Sequence, residues 1–290
     1  MMVSVKRSFC GMLLLFLPTV LLSQSGFVVL NYNVLEGLQQ KQERKLAFTQ
    51  WVKKIDPAIV SFQELNGFTH RSLDSFSRSY GHPYSVLLRE NGYPVGLSSK
   101  YPLEQVERVQ IDQYVGYIYA KVNRLYHVFV VHLDPFKAPN RLRQINFILE
   151  KANALPSDEP VLIMGDFNNI SPVDSLAYAD SGRIRRAIAM KQEGFELQNM
   201  RDGEYDYSVI DAMIAAGYLD SNELGKKGFT STCPTKGYKH KPTYWGGPSR
   251  IDYIWLNPAA RKQAVRFSIR KDKVTHNLSD HYPLLLTLKE

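Results

Sequence analysis

Asn33, Glu64, Asp166, Asn168 and Asp280 carry hard oxygen donors, and His132 and His281 carry imidazoles. Neither a cysteine pair nor a His-x-x-x-His spacing accompanies them. Oxygen ligands of this kind suit Mg²⁺, Mn²⁺ or Ca²⁺ better than zinc, which prefers Cys and His. A hard divalent cation polarises a phosphoryl oxygen and offsets charge on a leaving oxygen. The histidines are then available to move a proton or to donate to phosphate oxygens. In Ser279-Asp280-His281 the acid and the imidazole are chain neighbours and do not easily point at one another, so Asp280 is expected to be a metal or water ligand. The carboxylate that orients His281 must come from elsewhere, and Asp252 in Arg250-Ile251-Asp252-Tyr253-Ile254 is the candidate. Such a partner raises the basicity of the second ring nitrogen. The nucleophile is expected to be water, because no serine or cysteine lies in a nucleophile-elbow context. Each residue alone has a plainer reading: Asn and Asp after strands start turns, and a single histidine beside an apolar run is usually a hydrogen-bonded core residue. The occurrence of all of them together favours chemistry.

The elements that must position this set read as alternating strands and helices. Strands are expected at Phe27 to Asn31, Ala58 to Phe62, Tyr126 to Leu133, Val161 to Met164, Ile251 to Leu256 and Tyr282 to Leu288. Phe48, Trp51, Val52 and Ile55 have helical spacing and stop at Asp56-Pro57; Ile145, Ile148, Leu149 and Ala152 repeat that period. The polar residues sit at or beside the apolar strands, and strand-end residues converge on one edge of a sheet-based domain.

The chain has 290 residues, 44% of them hydrophobic, which excludes a disordered polymer. Two cysteines exclude a disulfide-built scaffold. The formal charge of +8 permits an anionic partner without naming one. Lys6 and Arg7, the apolar stretch Phe9 to Leu22, and Ser23-Gln24-Ser25 form the three-part pattern of a secretory signal peptide. Residues 1–25 are therefore expected to be removed on export, giving a secreted or periplasmic protein with Cys233 as its single thiol. No other apolar run reaches the ~18 residues of a membrane span, so no stable membrane insertion is expected. Residues 26–290 show neither repeat nor linker, and one domain, acting as a monomer, is the simplest expectation.

The ordered series Asn31-Tyr32-Asn33-Val34, Phe62-Gln63-Glu64, Val131-His132-Leu133-Asp134, Gly165-Asp166-Phe167-Asn168, Arg250-Ile251-Asp252-Tyr253-Ile254 and Ser279-Asp280-His281-Tyr282-Pro283 resembles the endonuclease/exonuclease/phosphatase family, the DNase I-like superfamily. That family includes DNase I, exonuclease III, neutral sphingomyelinases and inositol polyphosphate 5-phosphatases. The resemblance implies an α/β fold, a four-layer α/β/β/α sandwich of two mixed sheets with the site at one rim. It implies a Mg²⁺ site (Mn²⁺ or Ca²⁺ as substitutes) at Glu64 and Asn33, with Asp280 the last acidic residue near the metal. Asp166 and Asn168 resemble the pair that positions water, His132 the donor to phosphate, His281 the general base or its equivalent, and Asp252 its partner. Whether Asp166 or His281 takes the proton stays open. The implied substrate is a phosphoester: nucleic acid first, with a phospholipid head group and inositol or sugar phosphates as alternatives. Lys239-His240-Lys241-Pro242-Thr243-Tyr244-Trp245-Gly246 is basic and aromatic, and Tyr244, Trp245 and Arg250 are candidate substrate contacts. Its plainer reading is a surface loop with a partly buried aromatic pair. Ser181-Gly182-Arg183-Ile184-Arg185-Arg186 is expected to form a solvated basic helix face.

Overall fold

The computed structural model describes residues 26–189, 197–225, 228–241 and 243–289; the expected leader, 1–25, lies outside the described residues. In chain order the strands are β1 (Phe27–Asn33), β2 (Ile59–Gln63), β3 (Tyr84–Leu87), β4 (Gly96–Ser99), β5 (Leu103–Gln110), β6 (Gly116–Val122), β7 (Tyr126–His132) and β8 (Val161–Asp166). They continue with β9 (Met200–Arg201), β10 (Glu204–Tyr205), β11 (Leu219–Asp220), β12 (Asp252–Leu256), β13 (Ala264–Ile269) and β14 (Leu284–Leu288). Two six-stranded sheets result, ordered β13-β14-β1-β2-β4-β3 and β11-β12-β8-β7-β6-β5; β9 and β10 pair separately.

Both sheets are mixed, and each contains one parallel pair closed by a helix. The helix Gln42–Ile55 crosses between β1 and β2, and Ala138–Asn153 between β7 and β8. A parallel pair needs such a crossover, and the covering helix explains why these strands are apolar on both faces. Side chains alternate with period two. Val29, Val128, Val130, Leu162, Met164, Ile254 and Leu256 face the seam between the sheets. Leu30, Tyr32 and Phe62 meet Phe48, Trp51 and Val52 of the first helix. Phe129, Val131, Ile163 and Trp255 meet Ile145, Ile148, Leu149 and Ala152 of the second. The layers are therefore α/β/β/α, as expected. Among the described residues, no helix is long and apolar enough to cross a membrane.

Buried His82 ties β4 to the turn before β2. Its Nε2–H donates to the Pro57 carbonyl at 2.8 Å, and the Ser98 hydroxyl donates to Nδ1 at 2.9 Å. Burial, helped by Lys100 and opposed by the Pro57 hydrogen bond, pushes its pKa down to about 4. The unfolded chain binds a proton near pH 6.5 and the folded chain does not, so stability is complete above about 6.5 and falls as the pH drops toward 4. Over that window the loss should reach about 3 kcal/mol. Urea unfolding at pH 7 and pH 4.5 checks this: the difference should shrink in His82→Gln, and an equal difference in both proteins would refute it.

Candidate active site

The site lies where the ends of the two sheets meet. In the second sheet His132 at the end of β7, Asp166 at the end of β8 and Asp252 at the start of β12 are in register, forming one row across three strands. Neighbouring strands lie about 4.8 Å apart, so the register alone brings these side chains together. The His132 and His281 Nε2 atoms lie 3.7 Å and 3.8 Å from the same oxygen, Asp166 Oδ2. From the first sheet, Asn33 at the end of β1 reaches across: its amide Nδ2 donates to Asp166 Oδ2 and to Glu64 Oε1, each at 3.0 Å.

Backbone conformation fixes these groups further. Residues Leu35 to Gln40 all have left-handed φ, between 46° and 64°, and Glu64 itself has φ 60°. Non-glycine residues in this region cost roughly 1–2 kcal/mol each, so strain is concentrated beside Glu64, as it commonly is at functional sites. The turn brings the Glu36 N–H to Glu64 Oε2 at 3.0 Å and the Gly37 N–H to the Glu64 carbonyl at 2.6 Å. Asn168 is also left-handed; its N–H donates to Asp166 Oδ1 at 2.8 Å and its side-chain amide to the Leu133 carbonyl at 3.0 Å.

His281 and Asp280 arrive on the segment before β14. The Ser279 hydroxyl donates to the Asn33 carbonyl at 2.7 Å and accepts from the His281 N–H at 3.1 Å, locking this segment to β1. The imidazole Nδ1 lies 2.9 Å from Asp252 Oδ2 and 3.1 Å from Oδ1. Asp280 faces Lys241, whose Nζ is 2.5 Å from Oδ2.

Electrostatics separates the titrating groups. Burial, reinforced by Asp252 and opposed by both histidines, pushes the Asp166 carboxyl up to about 6. Burial works against charging His281, but the carboxylates of Asp252 and Asp166 outweigh it and hold the imidazolium well above the ordinary histidine range. Asp280 is held below the usual carboxylate range: burial opposes ionisation, and His281 and Lys241 overcome it.

Two metal-capable groups are present among the described residues, Asp166–Asp252–His281 and Cys233–Asp280–His281, each with ligand atoms within 4.8 Å of one another. Glu64 and Asn33 adjoin the first through the shared amide. The chemistry of this donor set fits a divalent cation, since hard carboxylate oxygens predominate.

Two expected substrate contacts are corrected. Arg250 is 2% exposed; its Nε lies 2.7 Å from Asp174 and its Nη1 2.5 Å from Asp220, so its charge is spent inside the protein. Trp245 is 2% exposed and packs against Tyr205 and the Arg141 guanidinium. Tyr244, by contrast, is half-buried at the surface, with its ring 5.6 Å from that of Phe136. The basic helix Ser181–Ala189 is solvated only in part: Arg183 is buried, donating to Ser249 Oγ at 2.9 Å, while Arg185 and Arg186 are exposed. Sequence reasoning did not single out Lys241 or Ser279, and it did not find Arg141. That arginine is fully buried and binds Asn169 Oδ1 and Asn199 Oδ1 behind the β8 turn. Its partners are distant in sequence, and no local pattern announces them.

A model of the Endonuclease/Exonuclease/phosphatase family matches residues 30–281. The uncharacterized protein YbhP of Escherichia coli (strain K12) is 25% identical over 173 residues, covering 50% of this chain and 68% of the relative. Among solved structures, an AP endonuclease from Archaeoglobus fulgidus aligns with a TM-score of 0.66 at 17% identity, covering 91% of this chain and 100% of that one. D. rerio TDP2 complexed with a single strand DNA product aligns at 0.65 and 17%, covering 92% and 100%. A 3′ phosphatase from Neisseria bound to a product DNA hairpin aligns at 0.64 and 16%, covering 91% and 100%. These likenesses establish a shared fold.

Proposed function

This chain belongs to the Endonuclease/Exonuclease/phosphatase family, and from that premise we propose that it is an exported Mg²⁺-dependent phosphodiesterase acting on nucleic acid. The observation that carries the reading is the convergence of Asn33, Glu64, His132, Asp166, Asp252 and His281 at one rim. Glu64 and Asp280 would hold the cation; Asn33, expected as a ligand, instead turns its amide nitrogen to Glu64 and Asp166 and its oxygen to the Leu35 N–H, so it positions the two carboxylates. Asp252 and His281 satisfy each other, so we assign them to proton handling rather than to metal ligation. Bound there, Mg²⁺ supplies Lewis-acid polarisation of the phosphoryl group and stabilises the leaving oxygen.

The protein's own groups divide the remaining work. Burial and the neighbouring Asp252 raise the Asp166 carboxyl above the usual carboxylate range, which strengthens it as an acceptor for the proton of an attacking water. Asp252 accepts from His281 Nδ1, fixing the ring so that Nε2–H points toward the Asp166 side of the site. In the imidazolium form His281 donates to a phosphoryl oxygen, and His132, on the other side of Asp166, is placed to do the same. Asn168 orients Asp166 through its backbone N–H. Water is excluded from the rear by the apolar seam between the sheets.

The lead pattern of residues 1–25 supports export, and the basic loop with Tyr244 supports an anionic polymer. Both are tested on protein recovered from outside the cytoplasm. Its intact mass should lack residues 1–25. With Mg²⁺ it should hydrolyse DNA or RNA, with affinity falling steeply as salt rises because phosphate contacts release counterions. Release of phosphocholine from sphingomyelin or phosphate from inositol phosphates, with nucleic acid untouched, would replace the nuclease reading with one of those.

A further inference from the structure

The Lys241 ammonium sits against a carboxylate that the proposed metal site requires. Its Nζ is 2.5 Å from Asp280 Oδ2, and while the lysine side chain is about half exposed, the aspartate is 6% exposed. Glu64 adds to the negative field at the same ammonium. Tyr93 and Tyr244 lie in the field of both Lys241 and Glu64. A divalent ion bound to Asp280 needs an oxygen at about 2.0–2.6 Å; Nζ at 2.5 Å from Oδ2 occupies that approach, and two cations cannot share it without strong repulsion. The tie is nevertheless replaceable. Lysine is a compact charge on a flexible four-carbon stem, free to swing while its ammonium stays charged, and its exposed portion gives it room to do so.

We propose that Lys241 is an internal counter-ion of the metal-side carboxylates, competing with the divalent cation for Asp280 and moving onto the substrate phosphate when that cation binds. Metal and phosphate binding are then coupled through one side chain: the ion frees the ammonium, and the ammonium holds the anion the ion is to polarise. Lys241 thus becomes a substrate-binding residue once the cation is in place, and the inference rests on the metal-dependent reading above.

The test measures binding rather than turnover. Mn²⁺ alone is titrated calorimetrically into the wild type, Lys241→Met, Lys241→Arg and Glu64→Ala, with thermal unfolding to show that each is folded. Lys241→Met should bind Mn²⁺ about two- to fivefold more tightly, the scale expected of one partly exposed ion pair. Lys241→Arg, which keeps the charge, should stay near wild type. Inorganic phosphate, titrated into the Mn²⁺-saturated proteins, should bind Lys241→Met about two- to fivefold more weakly. Unchanged or weaker Mn²⁺ binding by Lys241→Met, or unchanged phosphate binding, would overturn the proposal. If Glu64→Ala alone loses Mn²⁺, the metal site stands and only the role of Lys241 falls; if the wild type binds no Mn²⁺, both fall.

Discussion

Replacing His281 by alanine should lower the rate of phosphodiester hydrolysis about 10²–10⁴-fold, the usual contribution of a positioned acid–base group. The imidazole is held by Asp252 on one side and faces Asp166 on the other, so no other side chain takes over its place. Asp252→Asn separates orientation from charge. The amide keeps a hydrogen-bonding group near Nδ1 but removes the carboxylate that holds the imidazolium against burial. The pKa of His281 should therefore fall. If His281 acts as the charged donor, the alkaline limb of the pH–rate profile moves to lower pH in Asp252→Asn, because the charged form is lost earlier. If it instead acts as a neutral base, the acidic limb moves to lower pH. The proposed division of labour, with Asp166 the acceptor, expects the first. A profile unchanged in shape and position would show that the pair does not act in the chemistry.

The second large effect is structural. Gly165 in β8 pairs with Val131 in β7, and a Cβ added at Gly165 would lie 1.9 Å from the Val131 carbonyl oxygen. That neighbour is backbone in a parallel ladder and cannot turn aside. Gly165→Ala should therefore cost about 3 kcal/mol or more, at the upper end of overpacking penalties. The displacement falls between the strands that deliver His132 and Asp166, so activity should fall with stability. Gly203 supplies the contrast: it too has positive φ, 84°, but nothing lies within 4 Å of the added Cβ. Gly203→Ala should cost only about 1 kcal/mol, the backbone term. Urea midpoints of the two variants check this; equal losses would mean that the close approach of β8 to β7 contributes nothing.

What could be read in the sequence follows from how strands carry information. β1, β2, β7, β8 and β12 are apolar on both faces because sheet and helix cover them, and such runs stand out. Their ends carry Asn33, His132, Asp166 and Asp252, so the candidate site was legible with them. β5, reading Leu-Glu-Gln-Val-Glu-Arg-Val-Gln, lies at a sheet edge with most residues at least partly exposed and gives no comparable signal. The helix Ala138–Asn153 begins earlier than its apolar period suggests, because its first two turns bury Arg141 and Gln144 as well as Ala138. Arg250 and Trp245 were misplaced for one reason: residue type does not disclose burial when the compensating partners, Asp174, Asp220, Arg141 and Tyr205, lie far away in the chain.

The most direct measurement is the initial rate of nucleic-acid hydrolysis as Mg²⁺ is titrated back after EDTA, in the wild type and in Glu64→Gln. Glu64 is tied to Asp166 through Asn33 and to the strained turn through the Glu36 N–H, so losing its charge should weaken the cation without dismantling the rim. The account predicts no hydrolysis in EDTA, full recovery with Mg²⁺ in the wild type, and recovery in Glu64→Gln only at much higher Mg²⁺, if at all. Hydrolysis that persists in EDTA, or identical Mg²⁺ curves for the two proteins, would contradict it.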